Sequence, residues 1–264
     1  MRMKAGLATL SQNTRQLKGF LNESPFFMIL FSLAELIFVL SFLIFPPLLN
    51  APKSGALVLD FSKGYPLSVF SVFLIALFIF FMEEYESKIS KKTASFAEIE
   101  KKSSVISKIS IGTVCLGVVF IVSATFKIIE LISNGAGFET QKTILPETVP
   151  YFVNFAAGTF FSAFSEEVIY RYYLPKALKE NSKILSRNKI KPSKQKYLSL
   201  FFEFASVCVF ALSHRYLGFS PVLNAFFSGA VLRICMIRSN SVLIPFLVHS
   251  VYNFSVFIFA WLIG

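Results

Sequence analysis

The chain has 264 residues, of which 55% are hydrophobic and only 16% are charged, and its mean hydropathy is +0.64. Soluble domains are about 45–50% apolar and about 25% charged, so this composition excludes a disordered chain and argues against a soluble globular enzyme. Three cysteines are too few, and odd in number, for a disulfide scaffold. The composition therefore predicts a protein that crosses a membrane several times.

Seven apolar stretches are long enough to cross a bilayer as helices, because about 20 residues span its hydrocarbon core. We predict these spans at residues 26–45, 65–82, 109–129, 149 to beyond 173, 198–219, 221–237 and 242–263. Neither strand-like alternation nor an internal repeat competes with this pattern. The predicted fold class is all-α, a polytopic helical membrane bundle of about seven transmembrane helices.

The positive charges are distributed unevenly between the two sides of these spans. Of the 26 Lys and Arg residues, 19 fall on the side that includes the N-terminus and five on the other side. The positive-inside rule therefore predicts a cytoplasmic N-terminus and explains the net charge of +11 without nucleic acid. Residues 1–24 lack the pattern of a cleaved signal peptide. We predict a multi-pass integral membrane protein, with the lipid bilayer as a partner.

The chain divides by its charge pattern into two regions. Residues 1–148 hold the first three spans, and residues 83–108 between the second and third are predicted to form a cytoplasmic helical hairpin. Residues 149–264 hold the last four spans and most of the charged groups within spans. Because such groups are costly in a membrane, each of them requires a partner or a function.

The fourth span contains two adjacent acidic residues and one arginine. Glu167 and Arg171 are four residues apart with the acid first, which predicts a pair that neutralises both charges. Glu166 points about 100° away around the helix and has no basic partner in its own turn. A buried carboxylate without a cationic partner suits a general base.

Both histidines of the chain lie in predicted spans. Phe210 and His214 share one face of the fifth span, and His249 and Asn253 share one face of the seventh. Counted from the predicted helix ends, Glu166 and both histidines reach a similar depth, about 15 Å from the cytoplasmic ends. We predict that they converge in the membrane interior. The alternatives are a solvated helix end for the acids and bundle hydrogen bonds for the histidines.

The remaining charged residues within spans are predicted to be structural. Arg233 is predicted to extend to the cytoplasmic face, since long basic side chains bury their stems and keep the charge in water. Lys127 and Glu130 form a local pair, while Glu35 and Glu203 bond within the bundle or line a cavity. The three cysteines in apolar runs are predicted to be small buried hydrophobes: Cys115, Cys208 and Cys235.

The ordered motifs of the last four spans resemble those of the CAAX prenyl protease and bacteriocin-processing family of intramembrane peptidases, called CPBP or Abi. The family motifs EExxxR, FxxxH and HxxxN/D read here as Glu166-Glu167-x-x-x-Arg171, Phe210-x-x-x-His214 and His249-x-x-x-Asn253. The resemblance covers about residues 149–257. Family members usually carry Gly after the arginine, where this chain has Tyr172, a difference that bears on local helix packing.

By this resemblance, Glu166 is the carboxylate that activates water and His214 is its partner, while His249 and Asn253 bind the oxyanion or help to hold a metal. The family is interpreted either as zinc peptidases or as glutamate-dependent hydrolases without a metal. Glu166, His214 and His249 are a possible zinc set with an open fourth position, and the metal-free alternative stays equally open.

The resemblance also implies a supporting role for Glu167, Arg171 and Phe210, and an activity: an intramembrane endopeptidase acting on a membrane-associated protein or peptide. Prenylated substrates belong to one branch of the family. Two other functions remain open, a non-catalytic immunity or scaffold protein of the same family and a proton-coupled transporter that uses the buried acid and histidines as a relay. Transporters often contain internal repeats with broken helices, and this sequence shows none.

Overall fold

The computed structural model describes residues 25–49, 57–93, 104–132, 141–185 and 192–263. The α-helices are α1 (Pro25–Val39), α2 (Phe45–Leu49), α3 (Leu67–Thr93), α4 (Val105–Ile132), α5 (Val149–Glu166), α6 (Leu174–Leu185), α7 (Pro192–Leu212), α8 (Phe219–Ser239) and α9 (Leu243–Ile263). A π-helical segment, Leu40–Ile44, joins α1 to α2, and a second, Glu167–Tyr173, joins α5 to α6. The predicted all-α fold class is confirmed.

The predicted spans coincide with helices of the structure. Within the described ranges, five helical stretches have the length and hydropathy of membrane spans: Ser32–Leu49, Leu67–Tyr85, Val105–Ile132, Lys194–Leu217 and Phe219–Ser239. α9 contains a shorter apolar stretch, Leu243–Phe259. The predicted fourth span is helical from α5 through α6 and is less apolar than those five, because it carries the acidic pair and the polar α6. The arrangement fits a helical membrane bundle.

Two short strands depart from the sequence prediction. β1 (Leu57–Asp60) and β2 (Gln141–Ile144) pair in parallel, with Leu57 opposite Gln141 and Asp60 opposite Ile144. Each strand has only four residues, and the two strands lie more than 80 positions apart in the sequence. Strands this short show no local periodicity by which a sequence could reveal them. Since β1 precedes α3 and β2 precedes α5, both of these helices begin at the same end of the molecule.

Two sequence predictions fall partly or wholly beyond these ranges. Residues 1–24, for which we predict the absence of a cleaved signal peptide, lie outside the described residues. The predicted cytoplasmic hairpin is described on either side, where α3 runs to Thr93 and α4 starts at Val105, while residues 94–103 lie outside. The proposed boundary between residues 148 and 149 stays a prediction.

The turn after β1 packs against α5 and joins the N-terminal region to the last four helices. Gly64 has a φ of +75°, in the left-handed region that glycine adopts without strain. The Asn154 side chain accepts a hydrogen bond of 2.6 Å from the Tyr65 N–H group. The Tyr65 ring lies against Gly158, where a Cβ atom would come within 2.4 Å of the ring. Only a residue without a side chain allows this approach, so α5 is firmly held upstream of its acidic residues.

A second set of contacts holds α9. The Tyr252 hydroxyl donates to Ser123 of α4 at 2.9 Å and accepts from the Asn224 amide of α8 at 3.0 Å. Around it, Cys115 and Cys235 are buried in an apolar cluster between these helices. All three cysteines are free, but Cys208 is only half-buried, so the predicted burial holds for two of them.

The buried core lies around α5, the second π-helical segment and α6. Its side chains come from the first helices as well as from the last four: they include Leu36, Val39, Ile44, Ala76, Ile79, Phe164, Val168, Tyr173, Leu174 and Phe210. Many large apolar side chains are exposed on the outer faces of the helices, for example Ile121 on α4 and Phe204 on α7. An apolar exterior of this kind suits contact with lipid, where polar backbone groups are paired within the helices.

Candidate active site

The two adjacent glutamates lie where the helix geometry changes. Glu166 is the last residue of α5, and Glu167 is the first residue of the π-helical segment Glu167–Tyr173. At the end of this segment the Leu174 N–H group bonds to the Ile169 carbonyl, five residues back instead of four. Short π-helical segments within α-helices often occur at functional sites. The sequence predicts an uninterrupted helix here, so this change of register is a finding of the structure.

Glu167 is fully buried and binds two side chains at once. Its Oε1 atom accepts hydrogen bonds of 2.7 Å from Arg171 Nη1 and of 2.7 Å from His249 Nδ1. Arg171 is only 2% exposed, so each charge is compensated within the bundle. A carboxylate paired with a guanidinium is ionised and only accepts, which assigns the shared proton to His249 Nδ1. The predicted Glu167–Arg171 contact is present, and the contact with His249 was not predictable from spacing.

The Phe210 ring lies close to the Arg171 guanidinium and to both imidazoles. The guanidinium carbon lies 3.9 Å from the centroid of the Phe210 ring, a cation–π contact. The ring centroids of His214 and His249 lie 4.8 Å and 6.4 Å from that of Phe210. A Cβ atom at Gly229 would come within 3.0 Å of the Phe210 ring and 3.4 Å of Arg171 Nη2. The phenylalanine of the FxxxH motif is therefore tightly packed within the site.

Glu166 differs from its neighbour in its surroundings. Ser162 Oγ donates to Glu166 Oε1 at 3.0 Å, and Glu166 Oε2 lies 3.7 Å from His249 Nε2, beyond direct hydrogen-bond distance. Among the residues that the structure describes, no group donates to Glu166 Oε2. The side chain is 24% exposed, whereas that of Glu167 is 0% exposed. Glu166 Oε2 and Glu167 Oε2 are both shielded from solvent, and neither accepts a hydrogen bond from a described residue.

His214 lies two residues after the end of α7, with a φ of −93° and a ψ of 3°. This bridge region of backbone conformation is sparsely populated and is common among active-site residues. Its Nδ1 atom lies 3.0 Å from the Phe210 carbonyl oxygen, which accepts the proton and leaves Nε2 with a lone pair. The imidazole lies within electrostatic range of Glu166 and His249. The structure thus brings the predicted acid and both predicted histidines to one region.

Asn253 lies one helical turn beyond His249 and is half-buried. Its side chain forms no hydrogen bond with another residue in the described part of the chain, so its predicted role stays a prediction. Three tyrosines that the motifs do not include, Tyr65, Tyr170 and Tyr216, lie within electrostatic range of Glu166. No sequence signal singles out these tyrosines, because their proximity depends on how distant segments pack.

The predicted zinc set can be compared with the geometry of its side chains. Both imidazoles use Nδ1 in a hydrogen bond and leave Nε2 available, as zinc-binding histidines do. However, in the described ranges no three His, Cys, Asp or Glu side chains come together closely enough to hold a metal ion. In this arrangement Glu166, His214 and His249 do not fit a three-ligand zinc site. Zinc stays a prediction, and the mechanism below uses side chains alone.

The prediction that Arg233 keeps its charge in water is wrong. Its side chain is only 17% exposed, and its guanidinium binds Glu203 of α7, with Nε–Oε2 and Nη2–Oε1 distances of 2.5 Å and 2.6 Å. Its Nη1 atom donates to the Arg171 carbonyl oxygen at 2.5 Å. Lys179 of α6 also pairs with Glu203. The acceptor on a neighbouring helix makes extension into water unnecessary.

The other predicted structural charges are found in pairs. Lys127 Nζ lies 3.0 Å from Glu130 Oε1, which confirms the local pair on α4. Glu203 bonds within the bundle, as described above, and Glu35 of α1 accepts a hydrogen bond from the Tyr173 hydroxyl. The contact between Glu35 and Tyr173 links α1 to the π-helical segment.

Comparison with known proteins identifies the region that carries this site. Residues 148–255 match the model of a family described as type II CAAX prenyl endopeptidase Rce1-like. No curated protein and no solved structure matches the chain. The matched region runs from the residue before α5 into α9 and contains every residue of the three motifs. The match over residues 148–255 makes this region similar to the Rce1-like type II CAAX prenyl endopeptidases, consistent with the resemblance to CPBP peptidases.

Proposed function

We propose that this protein is an intramembrane endopeptidase that hydrolyses a peptide bond of a membrane-associated protein or peptide, with Glu166 activating the attacking water. The family match supports the broader class, a CAAX-type intramembrane protease. The finer proposal depends on one observation: two adjacent carboxylates have opposite surroundings. Glu167 is 0% exposed and binds Arg171 and His249, whereas Glu166 is 24% exposed, binds the neutral Ser162 hydroxyl and has its Oε2 3.7 Å from His249 Nε2.

The first step is the attack of water on the substrate carbonyl carbon. A separation of 3.7 Å lets Glu166 Oε2 and His249 Nε2 contact the same water molecule. Glu166 takes one proton from this water while the water oxygen forms a bond to the carbonyl carbon. The lone pair on His214 Nε2 accepts the second hydrogen of the water and orients it.

The negative charge that develops on the carbonyl oxygen requires hydrogen-bond donors. In this proposal His249 enters the cycle as an imidazolium, so it keeps its Nδ1–H bond to Glu167 and donates from Nε2–H to the oxyanion without taking a proton from the water. The buried carboxylate of Glu167 stabilises that imidazolium, as the aspartate does for histidine in serine proteases. The Asn253 amide, one turn along the same face, is the second donor in this proposal.

The intermediate then collapses with cleavage of the C–N bond. The proton held by Glu166 moves to the departing nitrogen, which leaves as an amine, while the water oxygen remains on the new carboxyl group. Glu166 returns to its ionised form, so one water molecule is consumed in each turnover. A site enclosed by aromatic side chains limits the entry of further water.

The test compares the wild type with Glu166→Gln in liposomes of defined composition. The substrates are a farnesylated peptide that ends in C-a-a-X and a library of unprenylated single-span peptides, with cleavage followed by mass spectrometry. We expect cleavage by the wild type and by Glu130→Gln, which removes a carboxylate from the α4 pair far from the site, and no cleavage by Glu166→Gln. Equal cleavage by wild type and Glu166→Gln would remove the catalytic proposal. Proton-dependent solute flux without cleavage would favour a transporter.

We also propose that the N-terminus faces the cytoplasm of a bacterial cell. Lys63, before α3, and Lys196, near the start of α7, are both exposed and lie towards opposite ends of the bundle. In a cysteine-free background, a membrane-impermeant maleimide should label Lys63→Cys in intact cells and Lys196→Cys only after permeabilisation. The reverse pattern would contradict the orientation that the positive charges predict.

A further inference from the structure

A network of charged side chains outside the three motifs lies directly behind the site. Glu203 of α7 and Arg233 of α8 form a bidentate pair with distances of 2.5 Å and 2.6 Å, and Lys179 of α6 adds a second cation to Glu203. The pair is largely removed from solvent, with exposed fractions of 20% for Glu203 and 17% for Arg233. A buried ion pair is in itself weak evidence for stability, because desolvation offsets the attraction.

The third donor of Arg233 indicates what the network does. Its Nη1 atom bonds to the backbone carbonyl of Arg171, inside the π-helical segment, at 2.5 Å. In a regular α-helix that carbonyl would accept from the residue four positions on, which is Pro175, and proline has no N–H group. A carbonyl without a donor is costly inside a membrane bundle. An α-helical bond to this carbonyl is therefore not available, and Arg233 donates to it from a neighbouring helix.

We propose that Glu203 and Arg233 are positioning residues of the active site. They hold the Arg171 carbonyl and thereby the π-helical register that directs Glu167 at His249. This inference rests on the proposed function, although its structural part can be measured without turnover.

The chemistry of the guanidinium makes this role specific. Arg233 uses three donors in fixed directions, two on Glu203 and one on the Arg171 carbonyl. A lysine at this position keeps the positive charge but has no planar fork that could serve both acceptors. Arg233→Lys therefore removes the planar guanidinium but keeps the positive charge. Glu203→Gln keeps the guanidinium but weakens its contacts by removing the negative charge of the acceptor.

The two histidines of the chain provide a readout that does not depend on activity. In protein labelled with 15N-histidine, the NMR spectrum contains two imidazoles, assigned with His214→Gln. We expect Arg233→Lys and Glu203→Gln to shift the His249 Nδ1 signal, which reports the 2.7 Å bond to Glu167. We also expect them to lower kcat for peptide cleavage about 10- to 100-fold with little change in KM, as changes behind an active site do. The matched control, Lys127→Met with Glu130→Gln, removes another ion pair and should change neither value.

Arg233→Lys provides the sharpest test. A native His249 signal and full kcat in this variant would overturn the inference. If Arg233→Lys does not fold, the same measurements on Glu203→Gln decide whether the inference holds. Failure of the proposed function would appear separately, as an active Glu166→Gln variant.

Discussion

Substitution of each glutamate of the adjacent pair by glutamine should give opposite phenotypes. Glu167→Gln leaves the Arg171 guanidinium, 2% exposed, without its anionic partner. Breaking a buried pair in this way costs about 3–5 kcal/mol of folding free energy. At about 2–4 °C per kcal/mol for a chain of this size, the melting temperature should fall by about 6–20 °C. His249 also loses the ionised acceptor of its Nδ1 proton, so activity should fall as well.

Glu166→Gln should behave differently although it lies one residue away. Its carboxylate accepts one hydrogen bond from the neutral Ser162 hydroxyl and stays 3.7 Å from His249 Nε2. A glutamine oxygen can accept the same bond from Ser162, so the melting temperature should change by only about 2 °C or less, as for substitutions that leave no buried charge unpaired. Turnover should be lost, because a general base contributes about 10²- to 10⁴-fold and glutamine cannot take a proton.

The assay measures both variants in one detergent, with unfolding followed by circular dichroism at 222 nm and cleavage followed on the peptide that the wild type hydrolyses best. Glu130→Gln, at the exposed end of α4, serves as the reference for loss of one carboxylate. Equal stability of the two variants would refute the assignment of Glu167 as the buried partner of Arg171. A marked loss of stability in Glu166→Gln with full activity would reverse the roles of the two acids.

Three further results are expected from the same preparation. Ser162→Ala should lower kcat about tenfold at constant KM, because Glu166 loses the hydroxyl that orients it; unchanged steady-state kinetics would contradict this. Gly229→Ala should reduce stability by about 1–3 kcal/mol through overpacking against Phe210, whereas Gly117→Ala, which meets open space, should be neutral or raise the melting temperature. Exhaustive chelation should leave cleavage unchanged, and activity that is lost and then restored by added zinc would replace the proposed metal-free mechanism.

Local features of the sequence were sufficient to predict the helices and one contact of the site. Apolar stretches of about 20 residues mark spans because hydropathy is a property of neighbouring residues. The Glu167–Arg171 contact is likewise local, since residues four apart meet on one helix face. The bond between His249 and Glu167 joins positions 82 apart. Spacing indicates that these groups share a depth, but it does not decide which acid meets which imidazole.

The wrong prediction for Arg233 also arises because the decisive contact joins residues that are far apart in the sequence. Considered on its own helix, a long basic side chain near the end of a span reaches water by extending its stem. That argument omits Glu203, which lies 30 residues earlier on α7 and reaches Arg233 inside the bundle. The relative energy of the two outcomes depends on helix packing, which composition and periodicity do not contain. A prediction for a basic residue within a span should therefore consider every acidic residue of the other spans as a partner.

The adjacent acids can have separate tasks only because the backbone turns them towards different neighbours. Consecutive helical residues point about 100° apart, so Glu167 reaches Arg171 and His249 while Glu166 faces Ser162 and the other side of the imidazole. A change of register after Glu166 would rotate Glu167 away from His249 and leave Arg171 buried without its partner. The π-helical segment begins at that point, so its backbone bonds matter as much as the side chains themselves. The His249 imidazole therefore has Nδ1 fixed by its bond to Glu167 on one side, and Nε2 3.7 Å from Glu166 on the other.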